Sequence, residues 1–177
     1  GALGDIGRAI ALQLAARGAD VALGDVLPED DAAKVLRSVR ELGRRARYDT
    51  VDVCDATAVR AWVERVAGEL GAPNLIIPNA AVVTLKNTRE LSPQEWTREV
   101  AVNLNGAFFL AQTAGVRLLR EQRAGRIVFV GSWAAERPHP HIPAYSASKA
   151  ALRMLMRCMA LDFAPRILVN EVAPGYV

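Results

Sequence analysis

The chain has few of the residues that mark a disulfide scaffold, a metal protein or a membrane protein. Its two cysteines, Cys54 and Cys158, form no CxxC pair, and its two histidines, His139 and His141, have no third candidate ligand nearby. These shortages predict no disulfide framework, no metal site and a reducing compartment, which we take to be the cytoplasm. No run reaches the roughly 18 apolar residues that span a bilayer, and no signal peptide is visible, so we expect no membrane partner.

Aromatic residues are also scarce, at 6% of the 177 residues, and the formal net charge is only +3. The densest group of cations consists of arginines with no aromatic side chains interleaved: Arg37, Arg40, Arg44, Arg45 and Arg47. A nucleic-acid surface and a solvated helix face that runs into a turn both fit this group, and we favour the helix face. We therefore expect no nucleic-acid partner.

Short apolar runs alternate with longer segments of helical periodicity along the whole chain. Four runs are nearly all apolar, as in strands buried on both faces: 19–25, 74–80, 126–131 and 166–175. Five segments have the pattern of helices: 6–17, 29–42, 56–70, 93–122 and 144–163. The fourth of these begins with Ser92, Pro93 and Glu95 in the order of a capping box. The alternation predicts one α/β domain over residues 1–177, with a doubly wound parallel sheet.

The chain opens on a glycine-rich loop, GALGDIG, directly before the first helical segment. Gly1, Gly4 and Gly7 would let the backbone approach a pyrophosphate, which the helix N-terminus attracts. Asp25 closes the next strand, where an acid can bind a ribose and repel a 2′-phosphate. Such a loop should follow a strand, and the chain stops directly after a Pro-Gly turn, so we expect both ends of the complete domain to lie outside this sequence.

The stretch YSASKAAL, from Tyr145 to Leu152, holds the strongest chemical signal. Tyr145 and Lys149 are four residues apart and share one face of a helix. An ammonium group beside a phenol favours the phenolate, so the pair is suited to moving a proton on or off an alcohol. Ser132 follows the third apolar run, at the carboxyl end of a strand, where parallel sheets bind their ligands. Its hydroxyl can hydrogen-bond a substrate oxygen.

With these motifs in this order, the chain resembles the short-chain dehydrogenase/reductase family from Gly1 to Val177. The resemblance implies a Rossmann-type fold and four catalytic residues, the fourth supplied by the stretch VNLNG: Ser132, Tyr145, Lys149 and Asn103. It implies that the cofactor is bound by Gly1, Gly4, Asp5, Ile6, Gly7, Asp25, Asp52, Val53, Asn79, Ala80, Ala81, Tyr145, Lys149, Pro174, Gly175 and Val177.

The family resemblance also implies the reaction, a hydride transfer between C4 of a nicotinamide and a carbonyl or alcohol carbon. Tyr145 would act as general acid in reduction and as general base in oxidation. Lys149 would favour the phenolate and bind the ribose hydroxyls, and Ser132 would hold the substrate oxygen. Asn103 would anchor a water that links Lys149 to solvent. Asp25 favours NAD over NADP as the cofactor.

Two residues depart from the family pattern. Asp5 occupies a position where the family has glycine, and Ala81 replaces the glycine that usually follows Asn-Ala. We expect Asp5 to cap the first helix by accepting backbone N–H bonds; weakened cofactor affinity is the alternative.

Two further interpretations use the same sheet without the proposed chemistry. One is a non-catalytic nucleotide-sensing or scaffold protein, which replacement of Tyr145 or Lys149 would have favoured. The other is a methyltransferase, which gives no reason for the set of Ser132, Tyr145 and Lys149. For the enzyme we expect a small alcohol or carbonyl substrate of unspecified identity, and a pocket that Trp133, His139 and His141 help to line. The resemblance implies a homotetramer or homodimer formed through the helices at 93–122 and 144–163.

Overall fold

The computed structural model describes residues 1–175 as helices that alternate with parallel strands. The α-helices are α1 (Asp5–Ala16), α2 (Ala33–Glu41), α3 (Ala56–Leu70), α4 (Pro93–Val100), α5 (Ala107–Arg120) and α6 (Pro143–Phe163). The strands are β1 (Val21–Asp25), β2 (Ala46–Thr50), β3 (Leu75–Ile76), β4 (Gly125–Val130) and β5 (Ile167–Val172). Short 3-10 turns cover Glu29–Ala32 and Trp133–Ala135.

All strand pairing in this part of the chain is parallel. Strand β1 pairs with β2, and β4 pairs with both β3 and β5. The edges of β1 and β3 border a cavity of about 500 Å³, which is also lined by residues of α1, α3 and α5. Parallel strands joined by helical crossovers confirm the predicted Rossmann-type α/β fold.

The largest core lies where α5 and α6 cover β4 and β5. Phe129, Ile127 and Leu118 are completely buried there, and burial of each such side chain stabilises the fold by about 1.5–3 kcal/mol. Gly115 on α5 lets the helices approach each other, because a Cβ at this position would lie 2.5 Å from the ring of Phe163. This core fixes α6, which carries Tyr145 and Lys149, against β4, which leads to Ser132.

The helix predicted at 93–122 is divided by a change of hydrogen-bond pattern. Residues Ala101–Gly106 form a π-helical turn between α4 and α5. The predicted capping box is confirmed, because the Ser92 hydroxyl accepts from the Glu95 N–H and the Glu95 carboxylate accepts from the Ser92 N–H. A π turn inside a helix commonly marks a functional position, and this one contains Asn103.

The arginine-rich segment contains a strand that the sequence analysis missed. Residues Ala46–Thr50 form β2, whose burial is confined to Tyr48, so the strand has no apolar run. Carboxylates hold Arg47 of this strand and the two arginines just before it. Arg44 and Arg45 both pair with Asp20, and Arg47 pairs with Asp49 and Glu69.

None of the helices in residues 1–175 has the length and apolar character that crossing a membrane requires. The same residues contain no group of three or more histidine, cysteine or acidic side chains placed to hold a metal ion. Both cysteines are free thiols.

Candidate active site

The glycine loop packs closely against the end of β3. A Cβ on Gly1 would lie 2.5 Å from the Cα of Ala80, and a Cβ on Gly7 would overlap the carbonyl oxygen of Gly1. Asn79 ties the two segments together, because its Nδ2 donates to the Gly1 carbonyl at 2.7 Å. A side chain at Gly1 would therefore force the loop away from Ala80, and one at Gly7 would disrupt the turn of the loop itself. The predicted loop residues and the Asn79 segment lie together.

The N-terminus of α1 has no side-chain cap among the described residues. Gly4 is the N-cap residue, and no side chain within residues 1–175 makes a capping hydrogen bond there. Gly4, Asp5 and Ile6 are exposed. The first-turn N–H groups of a helix have no intrahelical partners, so this end of α1 is open to an anion.

The expectation that Asp5 caps α1 is wrong. Asp5 is the first helical residue rather than the N-cap, and its carboxylate accepts no capping hydrogen bond from the described backbone. Its negative charge still lies at the positive end of the helix dipole, which is favourable for α1. Because the side chain is exposed, it can point into solvent without closing the open N–H groups.

Asp25 connects the end of β1 to the glycine loop. Its Oδ2 accepts from the Leu3 N–H at 3.0 Å, and its Oδ1 accepts from the Val26 N–H at 2.8 Å. Burial acts to raise the pKa of Asp25, but the hydrogen bond from the Leu3 N–H, followed by the positive charge of the Gly1 amino group, outweighs it and holds the pKa below its usual range. A carboxylate that stays ionised beside the loop is a suitable acceptor for ribose hydroxyls. It also has a structural role that the sequence did not reveal.

Asp52 and Val53 follow β2 at the same end of the strands. Asp52 is exposed and its Oδ1 accepts from the Cys54 N–H at 2.9 Å, which fixes a tight turn. Val53 packs against Gly106, where a Cβ would lie 2.5 Å from the valine side chain. The turn is therefore attached to the π-helical segment that contains Asn103.

Lys149 brings α6 to the carboxyl end of β4. The side chain is 2% exposed, its Nζ donates to the Val130 carbonyl at 2.7 Å, and it lies 5.5 Å from the centroid of the Tyr145 ring. Ser132 comes two residues after Val130 and is also buried. Its Oγ accepts from the Ala134 N–H at 3.2 Å, which starts the 3-10 turn. The structure thus gathers Tyr145, Lys149 and the Ser132 turn at one end of the sheet.

The ammonium group of Lys149 is held in a poor environment for a charge. Burial lowers its pKa to about 8, and the negative charge of Glu171 partly opposes this effect. A lysine with a pKa near neutrality can change its protonation state during a reaction, and such groups are concentrated at functional sites.

Asn103 is completely buried and clamps the segment after Ala81. Its Oδ1 accepts from the Val82 N–H at 2.8 Å, and its Nδ2 donates to the Val82 carbonyl at 2.9 Å and to the Ser148 hydroxyl at 3.2 Å. Since Ser148 precedes Lys149 on α6, Asn103 connects the π turn to the helix that carries the catalytic candidates.

Glu99 is a buried acid near Asn103 that the sequence analysis did not single out. It lies one helical turn before Asn103, is 1% exposed, and accepts from the Thr84 N–H at 2.6 Å through Oε1. Its Oε2 is buried, and none of residues 1–175 makes a hydrogen bond to it. The only sequence signal is its place four residues before Asn103, on the same helix face.

The remaining predicted residues lie at the edge of this region or beyond the described chain. The Pro174 carbonyl accepts from the Trp133 N–H at 3.1 Å, so the Pro-Gly turn borders the Ser132 segment. Gly175 is exposed, and Val177 lies outside the described residues. The ring of His139 stands edge-on to Trp133 at 6.1 Å and to His141 at 5.7 Å. These three rings form one cluster in the segment between Ser132 and Tyr145.

Known proteins have sequences similar to this chain over its whole length. A sequence model of the family described as short chain dehydrogenase matches residues 1–177. The chain is 35% identical over 176 residues to 2,3-dihydro-2,3-dihydroxybenzoate dehydrogenase of Bacillus subtilis, with 99% of this chain and 67% of that protein covered. It is 36% identical over 178 residues to cis-4-hydroxycyclohexanecarboxylate dehydrogenase of Sinomonas cyclohexanicum, with 99% and 70% covered.

Solved structures share the fold. NAD+-bound xylitol dehydrogenase is similar with a TM-score of 0.94 and 34% identity, over 99% of this chain and 67% of that one. A gluconate 5-dehydrogenase of Burkholderia cenocepacia, in complex with NADP and tartrate, has a TM-score of 0.92 and 32% identity, over 99% and 69%. The chain belongs to the short-chain dehydrogenase family of oxidoreductases. Since one of these structures holds NAD and the other NADP, family membership leaves the cofactor open.

Proposed function

We propose that the protein is an NAD-dependent dehydrogenase or reductase that interconverts a secondary alcohol and a ketone. The observation that carries the proposal is the placement of the buried Lys149 ammonium against both the Tyr145 ring and the end of the strand that leads to Ser132. A nucleotide sensor would use this ammonium group only to hold a ribose, which gives no reason for the phenol of Tyr145 beside it.

The described residues fit a dinucleotide. The uncapped N-terminus of α1 presents exposed backbone N–H groups that can bind an anion. Gly1, which packs closely on Ala80, adds no side chain to this loop. Asp25, at the end of β1, would accept the hydroxyls of the adenosine ribose and repel a 2′-phosphate, which favours NAD over NADP. When bound, the nicotinamide accepts or supplies the hydride.

The side chains of the site would handle the proton. In oxidation, Tyr145 takes the proton of the alcohol oxygen while the hydride leaves the adjacent carbon; in reduction, Tyr145 returns it. Lys149 stabilises the phenolate by its positive charge and binds ribose hydroxyls. Ser132 donates a hydrogen bond to the substrate oxygen and orients it toward Tyr145. Asn103 anchors a water between Lys149 and solvent.

A substrate screen with a matched tyrosine pair tests this proposal. The full-length protein is assayed by NADH absorbance with NAD and NADP against cyclic diols, hydroxycyclohexane carboxylates, polyols and sugar acids. We expect turnover with at least one class, and a loss of more than about 10³-fold in Tyr145→Phe with NADH binding retained. Tyr48→Phe, on strand β2, removes a hydroxyl that donates to the Leu27 carbonyl and leaves Ser132, Tyr145 and Lys149 unchanged, so it should keep kcat. Full activity in Tyr145→Phe contradicts the assignment, and NADH binding without turnover of any substrate favours the sensor.

A further inference from the structure

A largely buried ion pair joins α6 to β5 beside the turn that carries Ser132. Glu171 Oε2 accepts from Arg153 Nε at 2.8 Å, and the two side chains are 8% and 16% exposed. The same guanidinium pairs with Glu136, which lies just after the Trp133–Ala135 turn and is 72% exposed. Arg153 thus connects helix α6, strand β5 and the segment after Ser132.

The Glu171 carboxylate occupies the space that a side chain at position 131 would need. A Cβ on Gly131 would overlap Glu171 Oε1, so a glycine at this position is required for the carboxylate to reach Arg153. The Gly131 N–H donates to the Val172 carbonyl at 2.8 Å. Together with the bond from the Trp133 N–H to Pro174, this attaches both neighbours of Ser132 to the end of β5.

Glu171 also acts on Lys149 through its charge. It opposes the effect of burial on the lysine, whose pKa is lowered to about 8. Tyr145 is the other ionisable side chain that the described residues place against the ammonium group, with its ring centroid 5.5 Å from Nζ. Glu171 is the carboxylate that favours the ammonium form.

We propose that Glu171 is a positioning residue of the active site. Its carboxylate packs against Gly131, next to the Val130 carbonyl that accepts the hydrogen bond of Lys149, and its negative charge supports the ammonium group at this strand end. Arg153 holds the carboxylate and Gly131 leaves room for it. The expected effect of Glu171 on kcat rests on the function proposed above. Its effect on the titration of Lys149 can be measured without turnover.

The first test follows the titration of Lys149 by NMR of ¹³C-labelled lysine Cε atoms. The chain has three lysines, and a Lys149→Met spectrum assigns the signal. Glu171→Gln removes the charge and keeps the shape; Glu136→Gln, which removes the exposed partner of the same arginine, is the matched control. We expect the Lys149 midpoint to fall by about one pH unit in Glu171→Gln and by less than about 0.3 in Glu136→Gln. Gly131→Ala, which displaces the carboxylate, should lower it as well. An unchanged midpoint in Glu171→Gln overturns the inference.

Kinetics then separate positioning from a general loss of stability. In Glu171→Gln we expect kcat to fall about 10-fold and the cofactor KM to change less than about 2-fold, with the basic limb of the pH profile moved to lower pH. A kcat that falls by the same factor at every pH argues against the proposal. If the wild-type protein turns over no substrate, the proposed function fails, and the NMR titration still decides the role of Glu171.

Discussion

The ammonium group of Lys149 donates a hydrogen bond of 2.7 Å to the carbonyl oxygen of Val130, the last residue of β4. This bond draws a buried cation to the strand end that leads to Ser132. Its burial lowers the lysine pKa, which means that the folded state disfavours the charge. The fold therefore keeps this charge at a cost in stability, and that cost can be measured.

Replacement of Lys149 by methionine should stabilise the protein at pH 7. The folded-state pKa of about 8 lies below the ordinary value of 10.5, so below pH 8 the wild type carries the full penalty of a buried ammonium. As the pH rises from 8 to 10.5 the folded state releases its proton first, wild-type stability increases, and the advantage of Lys149→Met disappears. We expect the free energy of unfolding of Lys149→Met to exceed that of wild type by about 1–3 kcal/mol at pH 7, because loss of the bond to Val130 offsets part of the gain.

Urea unfolding at pH 7 and at pH 10.5 checks this prediction. Lys34→Met, at an exposed position on α2, is the control and should change stability little at either pH. A stability difference between Lys149→Met and wild type that is the same at both pH values would show that packing, not charge, is responsible.

Replacement of Asn103 by alanine should destabilise the protein by about 2–4 kcal/mol. The change leaves the half-buried Val82 N–H and carbonyl without their partners, and it removes the buried bond to Ser148. Asn105→Ala, in the same π turn but exposed, is the matched control and should cost less than about 0.5 kcal/mol. Thermal unfolding of both variants makes the comparison; equal losses would contradict the role of Asn103 as a clamp.

The sequence was sufficient for those parts of the site whose geometry is local. Tyr145 and Lys149 lie four residues apart on one helix, so their proximity follows from helical periodicity alone. The partnership of Arg153 with Glu171 could not be predicted in this way. Neither residue has a local signal, and only the packing of α6 on β5 brings them together.

The errors in the fold have equally specific causes. Strand β2 was missed because Tyr48 is its only buried side chain among the described residues, and Arg47 beside it is held by ion pairs with Asp49 and Glu69 rather than by apolar packing. The π turn at Ala101–Gly106 was missed because its residues have ordinary helical periodicity. The prediction that Asp5 caps α1 was wrong because α1 begins at Asp5 itself, which makes Gly4 the N-cap residue.

Replacement of Asp25 by alanine should weaken the discrimination against NADP. The carboxylate would no longer repel a 2′-phosphate, so we expect the ratio of NADPH to NADH dissociation constants to fall by about 10-fold or more. Loss of the acceptor for Leu3 and Val26 should also lower stability by about 1–3 kcal/mol, so binding must be measured where the variant is folded. Fluorescence titration with both reduced cofactors gives the ratio, and Asp162→Ala on α6 is the exposed control. A wild type that already prefers NADPH would show that Asp25 does not select the cofactor.

Replacement of Glu95 by glutamine should reduce stability at neutral pH but not in strong acid. Its pKa is lowered to about 2, chiefly by the hydrogen bond with Lys86 at 2.6 Å and then by the N–H and hydroxyl of Ser92. An acid with a depressed folded-state pKa stabilises the fold above its ordinary value of 4.5, and this contribution is lost as the pH falls toward 2. Glutamine keeps the shape but not the charge, so the Tm of Glu95→Gln should lie below that of wild type at pH 7 and approach it as the pH decreases. Added salt should narrow the gap at pH 7, since the ion pair is exposed to solvent. Glu90→Gln, an exposed carboxylate in the preceding turn, is the control; if it shows the same pH-dependent gap, the capping box is not the source.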